Sequence, residues 1–308
     1  YLEATWAVPA GLGRPTGGPC LLSRLLWREL RYDPAPREAQ MTESSEPAVL
    51  YEVKDQIAQI TLNRPENRNS MTNDVLEGLA DAVAQVKTDP DVRCVIITGR
   101  GRSFCAGADF RSQTQRDSGT GERKLLPNER SMKMYEPFLS VLSIEVPTIA
   151  ALNGHAVGGG LGLAVVCDIR IANAQAKYGA NFVKLGLHPG MATTYILPRL
   201  VGMPRAVELL LTGRIIEGTQ AAEYGLANYA LPADEVLPKA LEIAREIAGC
   251  APIAVRLTKR SIYEHVQYEP RAAAAHEAHA QSRTIETTDH REGVAALLEK
   301  RTPRFEGK

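Results

Sequence analysis

Residues 154–168 read GHAVGGGLGLAVVCD: three consecutive glycines lead into an apolar run that reads as a buried helix, and a fourth, Gly162, sits inside it. Glycine costs a helix about 0.5–1 kcal/mol relative to alanine, so Gly158, Gly159, Gly160 and Gly162 together must gain something from backbone freedom or from lost bulk. Short apolar runs flank the stretch, PTIAALNG (147–154) before it and DIRIANA (168–174) after it, and both read as strands. Upstream, VRCVIITG (92–99) is another buried strand, followed by the glycine-punctuated loop RGRSFCAGADF (100–110). VLYEVKDQIAQITL (49–62) reads as two alternating strands joined at Lys54-Asp55, a hairpin. Thr72 is the expected N-cap of a helix whose Val75, Leu76, Leu79, Val83 and Val86 share one face, stopped at Asp89-Pro90. Polar residues 111–130 read as a mobile loop or lid, and a helix is expected around 131–142. Strands alternating with helices predict an α/β class with buried, largely parallel strands. From about Met203 onward MPRAVELLLTG, GTQAAEYG, DEVLPKALEIAREIAG and IAVRLTKRSIYEHV are successive helices, so the C-terminal third is helical.

FCAGADF and AVGGGLG share a character. Each follows a buried strand, and its small side chains leave backbone N–H groups free to point at a ligand. One such loop is weak evidence; two suggest converging donors, an oxyanion hole for a carbonyl that becomes negative during reaction. The helix opening at the triple glycine adds its positive dipole end. A phosphate cradle is the rival, but neither G-x-x-x-x-G-K-[ST] nor a G-x-G-x-x-G with a suitable acid downstream is present.

Composition bounds the rest. The 308 residues are 44% hydrophobic and 23% charged, the balance of a globular protein with a large core. Lys plus Arg equals Asp plus Glu at 36 each, so no global field attracts nucleic acid or an anionic membrane. No apolar stretch approaches the ~18 residues of a transmembrane helix. The five cysteines are scattered without a C-x-x-C pair, which points to a reducing cytoplasm rather than a disulfide or zinc framework. HEAH, with His276 and His279 at i, i+3, lacks the i, i+4 spacing of a helical metal site. Residues 1–40 hold both tryptophans and no lysine. LLSRLLWRELR within them suits an amphipathic targeting peptide, but Glu3, Glu29, Asp33 and Glu38 suit a disordered or extraneous extension. Residues 41–245 are the expected core and 246–308 a helical tail.

Six segments together carry a resemblance: LNRPENRNSM, VIITGRGRSFCAGADF, PTIAALNGHAVGGGLGLAVVCDIRIA, KLGLHPGMATTYILPRLVG, LLLTGRIIEGTQAAEYGLANYALP and TTDHREGVAALLEKRTPRF. In this order, over nearly all of residues 49–305, they resemble the crotonase family, the enoyl-CoA hydratase/isomerase group. The resemblance implies a spiral of ββα units, with a helical C-terminal region that forms homotrimers or dimers of trimers. It implies an acyl-CoA thioester as partner, coenzyme A arriving as part of the substrate and no separate cofactor. The two oxyanion amides fall on Ala108 and Gly159. Ala106, Asp109, Phe110, Gly158 and Phe182 are the expected substrate contacts, with Arg111 near the CoA phosphates.

One departure follows from the same resemblance. Family hydratases hold two glutamates over the acyl chain, and those positions fall on Gly162 and Phe182, neither of which moves a proton. His188 in GLHPG is the leading substitute by position, with Asn181, Tyr178 and Tyr195 as polar neighbours in sequence. His188 is otherwise a loop residue bonded to backbone, and His155, Cys105 and Cys167 read as structural. Two functions stay open: an enzyme that stabilises an acyl-CoA enolate with noncanonical acid/base chemistry, and a catalytically silent acyl-CoA-binding protein.

Overall fold

The alternating pattern at 49–62 forms an antiparallel hairpin of β1 (Val49–Lys54) and β2 (Ile57–Leu62). Lys54 pairs with Ile57, so the connection is Asp55–Gln56, one residue later than the sequence suggests. Both residues have positive φ, 52° and 66°, as in the two-residue turns whose twist matches the flanking strands. The computed structural model describes residues 46–108, 127–265, 287–299 and 301–308.

Helix α1 (Asn73–Thr88) follows, its five predicted apolar residues all buried. Thr72 is at the N-cap in extended conformation, but its hydroxyl bonds the Asp74 carboxylate rather than a helix amide. The chain then makes successive turns of a spiral, each adding one long and one three-residue strand. These are β3 (Cys94–Gly99) with β4 (Ser103–Cys105), β5 (Thr148–Leu152) with β6 (His155–Val157), and β7 (Ile169–Asn173) with β8 (Lys177–Gly179). Helix α2 (Pro127–Leu139) precedes β5, and α3 (Gly159–Val165) separates β6 from β7. Downstream come α4 (Thr193–Val201), α5 (Met203–Thr212), β9 (Ile216–Glu217), α6 (Gly218–Glu223), β10 (Tyr229–Leu231), α7 (Ala233–Ala248), α8 (Pro252–His265) and α9 (Thr288–Glu299).

The long strands form a sheet in the order β1-β2-β3-β5-β7-β10, parallel everywhere but at the hairpin. All six residues of β3 and all five of β5 are buried, because helices cover both faces and an alternating pattern would place polar groups in the core. On one face Val236, Ala240, Ala244 and Ala248 of α7 meet Ile57, Ile96, Ile149 and Ile171; alanine every fourth residue lets the helix lie close. The other face carries the larger core, with Leu79 and Val83 of α1, Phe104, Phe138 and Leu163. The short strands form a second sheet, β4-β6-β8-β9, parallel except at β8/β9. Sequence periodicity does not reveal this sheet, since strands of two or three residues are shorter than any alternation.

Candidate functional site

The second sheet positions the site. In open parallel sheets, loops leaving the carboxyl ends of neighbouring strands emerge together and surround a crevice. Here β4, β6 and β8 release Ala106–Ala108, Gly158–Gly159 and the single-turn helix Asn181–Leu185 side by side.

The first two loops touch, and glycine is what permits it. Gly107 has φ +87°, and a methyl built on it would stand 2.7 Å from the Val157 carbonyl and 3.1 Å from the Gly159 amide nitrogen. A methyl on Gly160 would stand 1.9 Å from the Cys105 carbonyl, so β4 and the start of α3 approach at backbone distance. Gly158 turns the chain into the helix at φ 58°, a conformation L side chains rarely adopt, while its N–H donates to the Gly179 carbonyl of β8 (2.8 Å). Opposite, the Met71 N–H donates to the Gly107 carbonyl (2.9 Å) and the Ala106 N–H to the Arg68 carbonyl (3.1 Å). The N–H groups of Ala108 and Gly159 donate no hydrogen bond among the described residues.

A cavity of about 710 Å³ opens where the loops meet. It brings together six of the residues expected from the sequence: Ala106, Ala108, Gly158, Gly159, Phe182 and His188. Asp109, Phe110 and Arg111, like His276 and His279, lie outside the described residues. The wall is strongly apolar, and four methionines, Met71, Met132, Met134 and Met191, contribute to it. Its described polar side chains are Ser131, Tyr135, Asn181 and His188, none of them a carboxylate.

His188 is exposed, and its Nδ1 lies 2.8 Å from the Pro189 carbonyl. A carbonyl only accepts, so Nδ1 carries the proton and Nε2 presents a lone pair in the neutral ring. His155 differs: its Nδ1 accepts the Lys177 N–H (2.9 Å), tying β6 to β8. Burial, then the charges of Lys177 and Arg68, hold its pKa below the ordinary imidazole value. Cys105 and Cys167 are buried, which pushes their thiols up to about 12.

Two polar neighbours suggested by sequence are not in the wall. Tyr178 is buried, with its hydroxyl 3.2 Å from the Asn173 carbonyl and 3.3 Å from that of Leu152, because β8 turns it into the core. Tyr195 is on the outer side of α4, 3.5 Å beneath the Arg199 guanidinium. Sequence reading missed Tyr135, whose hydroxyl abuts Gly190, and Met191, which packs over Gly162. A methyl on Gly162 would stand 2.4 Å from the Met191 Cβ, so the missing bulk of that glycine is filled by the Met191 side chain. Met191 is itself 1% exposed and held at φ 58°.

Comparison with known proteins agrees with this geometry. The profile of the enoyl-CoA hydratase/isomerase family matches residues 52–308. The chain is 37% identical over 258 residues to a crotonyl-CoA hydratase of Syntrophomonas wolfei, covering 83% of this chain and 97% of that one. It is 39% identical over 260 residues to the mouse mitochondrial enoyl-CoA hydratase domain-containing protein 2, covering 82% and 85%. The crystal structure of an enoyl-CoA hydratase from Bacillus anthracis superposes with a TM-score of 0.79 at 36% identity, over 85% of this chain and 100% of that one. No helix among the described residues is long and apolar enough to cross a membrane. A spiral of paired strands, two abutting glycine loops and this match over most of its length place the chain in the enoyl-CoA hydratase/isomerase family of the crotonase superfamily.

Proposed function

We propose that the protein is an enzyme that binds an acyl-CoA thioester, with the thioester oxygen between the amides of Ala108 and Gly159, and stabilises the enolate formed from it. The observation that carries this is the contact of the two glycine loops, which leaves both N–H groups without a partner among the described residues, in the lining of one apolar cavity. Amides fixed by the fold stabilise a developing oxyanion without reorganising, and losing one such donor typically lowers the rate ~10²–10³-fold. Ala106, Gly158 and Phe182 flank the acyl group, and Asp109, Phe110 and Arg111 follow the CoA moiety. Coenzyme A is part of the substrate, and no other cofactor is needed.

Gly162 and Phe182 supply no proton where family hydratases carry glutamates, so two-carboxylate hydration is not the chemistry proposed. Decarboxylation, double-bond isomerisation and C–C cleavage need enolate stabilisation and one mobile proton. His188, through Nε2, is the group proposed to move it. We assign residues 246–308 to assembly into a homotrimer or a dimer of trimers.

The wall without a described carboxylate favours one rival, binding without turnover. A panel of enoyl-, dienoyl-, β-keto- and malonyl-type CoA thioesters, assayed for both binding and turnover, separates the two. Turnover of at least one member, lowered by His188→Ala, is expected. Tight binding with no turnover would leave the silent binder. Gly159→Val, which drives a branched side chain into Met71, should abolish thioester binding; undiminished affinity would remove the amide cradle.

A further inference from the structure

Asn69 is set back from the cavity lining, yet it is fully buried and both N–H donors of its side chain are used. Its Nδ2 donates to the carbonyls of Ser103 (2.8 Å) and Arg100 (3.1 Å), and its Oδ1 accepts the Arg64 N–H (2.8 Å). Carbonyls only accept and a backbone N–H only donates, so these partners fix which way the amide faces. The Asn69 N–H donates to the Arg64 carbonyl (2.8 Å), which closes residues 64–69 into a compact loop. Arg68 and Asn69 are both left-handed, with φ 53° and 54°, a region in which asparagine is enriched over other residues with a side chain. Across from the amide, a methyl built on Gly99 would stand 2.7 Å from Nδ2, so β3 ends in a glycine that admits it.

The residues on either side of Asn69 hold the first glycine loop. The Arg68 carbonyl accepts the Ala106 N–H (3.1 Å), and the Met71 N–H donates to the Gly107 carbonyl (2.9 Å). The second bond sets a direction. The Gly107 carbonyl and the Ala108 N–H belong to one planar trans peptide, so they point opposite ways. Turning the carbonyl toward Met71 therefore turns the Ala108 N–H away from it. The Met71 side chain packs on the other loop, where a methyl on Gly159 would collide with its sulfur. We propose that Asn69 is a positioning residue: by anchoring residues 64–71 to the turn between β3 and β4, it sets the direction of the Ala108 N–H relative to Gly159. It acts through Met71 and not by contact with a ligand. This rests on the thioester site proposed above and adds the group that orients one of its two donors.

Carbonyl spectroscopy reads this orientation without requiring turnover. Infrared spectra of butyryl-CoA with an isotope-labelled thioester carbonyl would be recorded free and bound to the full chain. Calorimetry would compare butyryl-CoA with S-butyl-CoA, a thioether that lacks the oxygen. The wild-type protein should lower the carbonyl stretch and prefer the thioester, since fixed donors polarise the oxygen. Asn69→Gly keeps the left-handed backbone unstrained and removes the side-chain bonds to Arg64, Arg100 and Ser103. It should return the bound stretch toward the free value and weaken butyryl-CoA about 3–10-fold, the range of one neutral hydrogen bond, while S-butyl-CoA binds as before. Asn69→Asp keeps the shape but turns an acceptor toward the two carbonyls, and regains a donor only when protonated. Its bound stretch should approach the wild-type value as pH falls and depart from it as pH rises. An unchanged stretch in the folded variants, or equal weakening of both ligands, overturns the positioning role while the thioester site stands. If Asn69→Gly alone fails to fold, the pH series on Asn69→Asp decides; failure of both to fold assigns Asn69 to the fold alone and also overturns the role. A wild-type protein that binds neither ligand, or binds both equally with an unshifted carbonyl, overturns the thioester site itself.

Discussion

Gly162 and Met191 form a pair in which each residue accounts for the other's oddity. A side chain at φ 58° costs roughly 1–2 kcal/mol relative to glycine, and Met191 bears that strain while filling the space that Gly162 leaves. Gly162→Ala should therefore destabilise by about 1–3 kcal/mol through overpacking, because the new methyl meets Met191 at its Cβ rather than at a flexible tip. Adding Met191→Gly removes the obstacle, so the double variant should be more stable than the sum of the singles by about 1 kcal/mol or more. Denaturant unfolding of the four proteins measures this, and strict additivity would show that the two residues do not compete for the space. Gly160 contrasts with Gly162, since its neighbour is the Cys105 carbonyl, which no side-chain substitution can move aside.

At the scale of elements, the least expected arrangement is how α8 is held. Asp168, just before β7, accepts the Thr148 N–H (2.7 Å), the Thr148 hydroxyl (2.9 Å) and the Tyr263 hydroxyl (2.6 Å), and pairs with Lys259 (2.8 Å). Lys259 also donates to the Val146 carbonyl (2.9 Å). The ion-pair side chains are only 13% and 16% exposed, so solvent screens them weakly and neither charge is well placed alone. Burial first, then the Asp168 charge, raises the Tyr263 pKa above the ordinary phenol value, keeping it a donor at neutral pH. Lys259→Met should cost about 3 kcal/mol by leaving the carboxylate without its counter-charge, and Tyr263→Phe about 1 kcal/mol. Hydrogen exchange should show α8 losing protection before β3 and β5 in both variants; uniform loss across the chain would argue against a local clasp. In the sequence these residues read only as a strand boundary and a charged helix, because nothing local indicates that a distant lysine and tyrosine converge on one carboxylate.

For the molecule as a whole, the C-terminal residues bind α9 and the core together. The Lys308 carbonyl accepts the Thr288 N–H (2.9 Å), Asp289 accepts the N–H groups of Glu306 (2.7 Å) and Gly307 (2.8 Å), and Arg93 reaches the Phe305 carbonyl (2.7 Å). Glu292 accepts two bonds from Arg301 and the Arg304 N–H, and these donors hold its pKa at about 2. A depressed carboxylate pKa stabilises above the unfolded value and loses its contribution as pH falls toward the folded one. Protection of the Arg304 amide should therefore be constant at neutral pH and decline between the ordinary value of 4.5 and about 2, a dependence absent in Glu292→Gln. A decline already complete above that window would assign it to another group. From the sequence alone came the hairpin, the buried strands, the apolar face of α1, the four helices between Met203 and His265 (though not β9 and β10 among them) and the two glycine-rich loops, because each is written in local periodicity or in residue size. The tertiary structure alone decided which loops share a cavity, that Met191 packs over Gly162 and that Tyr135 rests on Gly190. Those neighbours are far apart in the chain, and strands as short as β4, β6 and β8 leave no periodic trace, so their adjacency emerges only when the second sheet assembles.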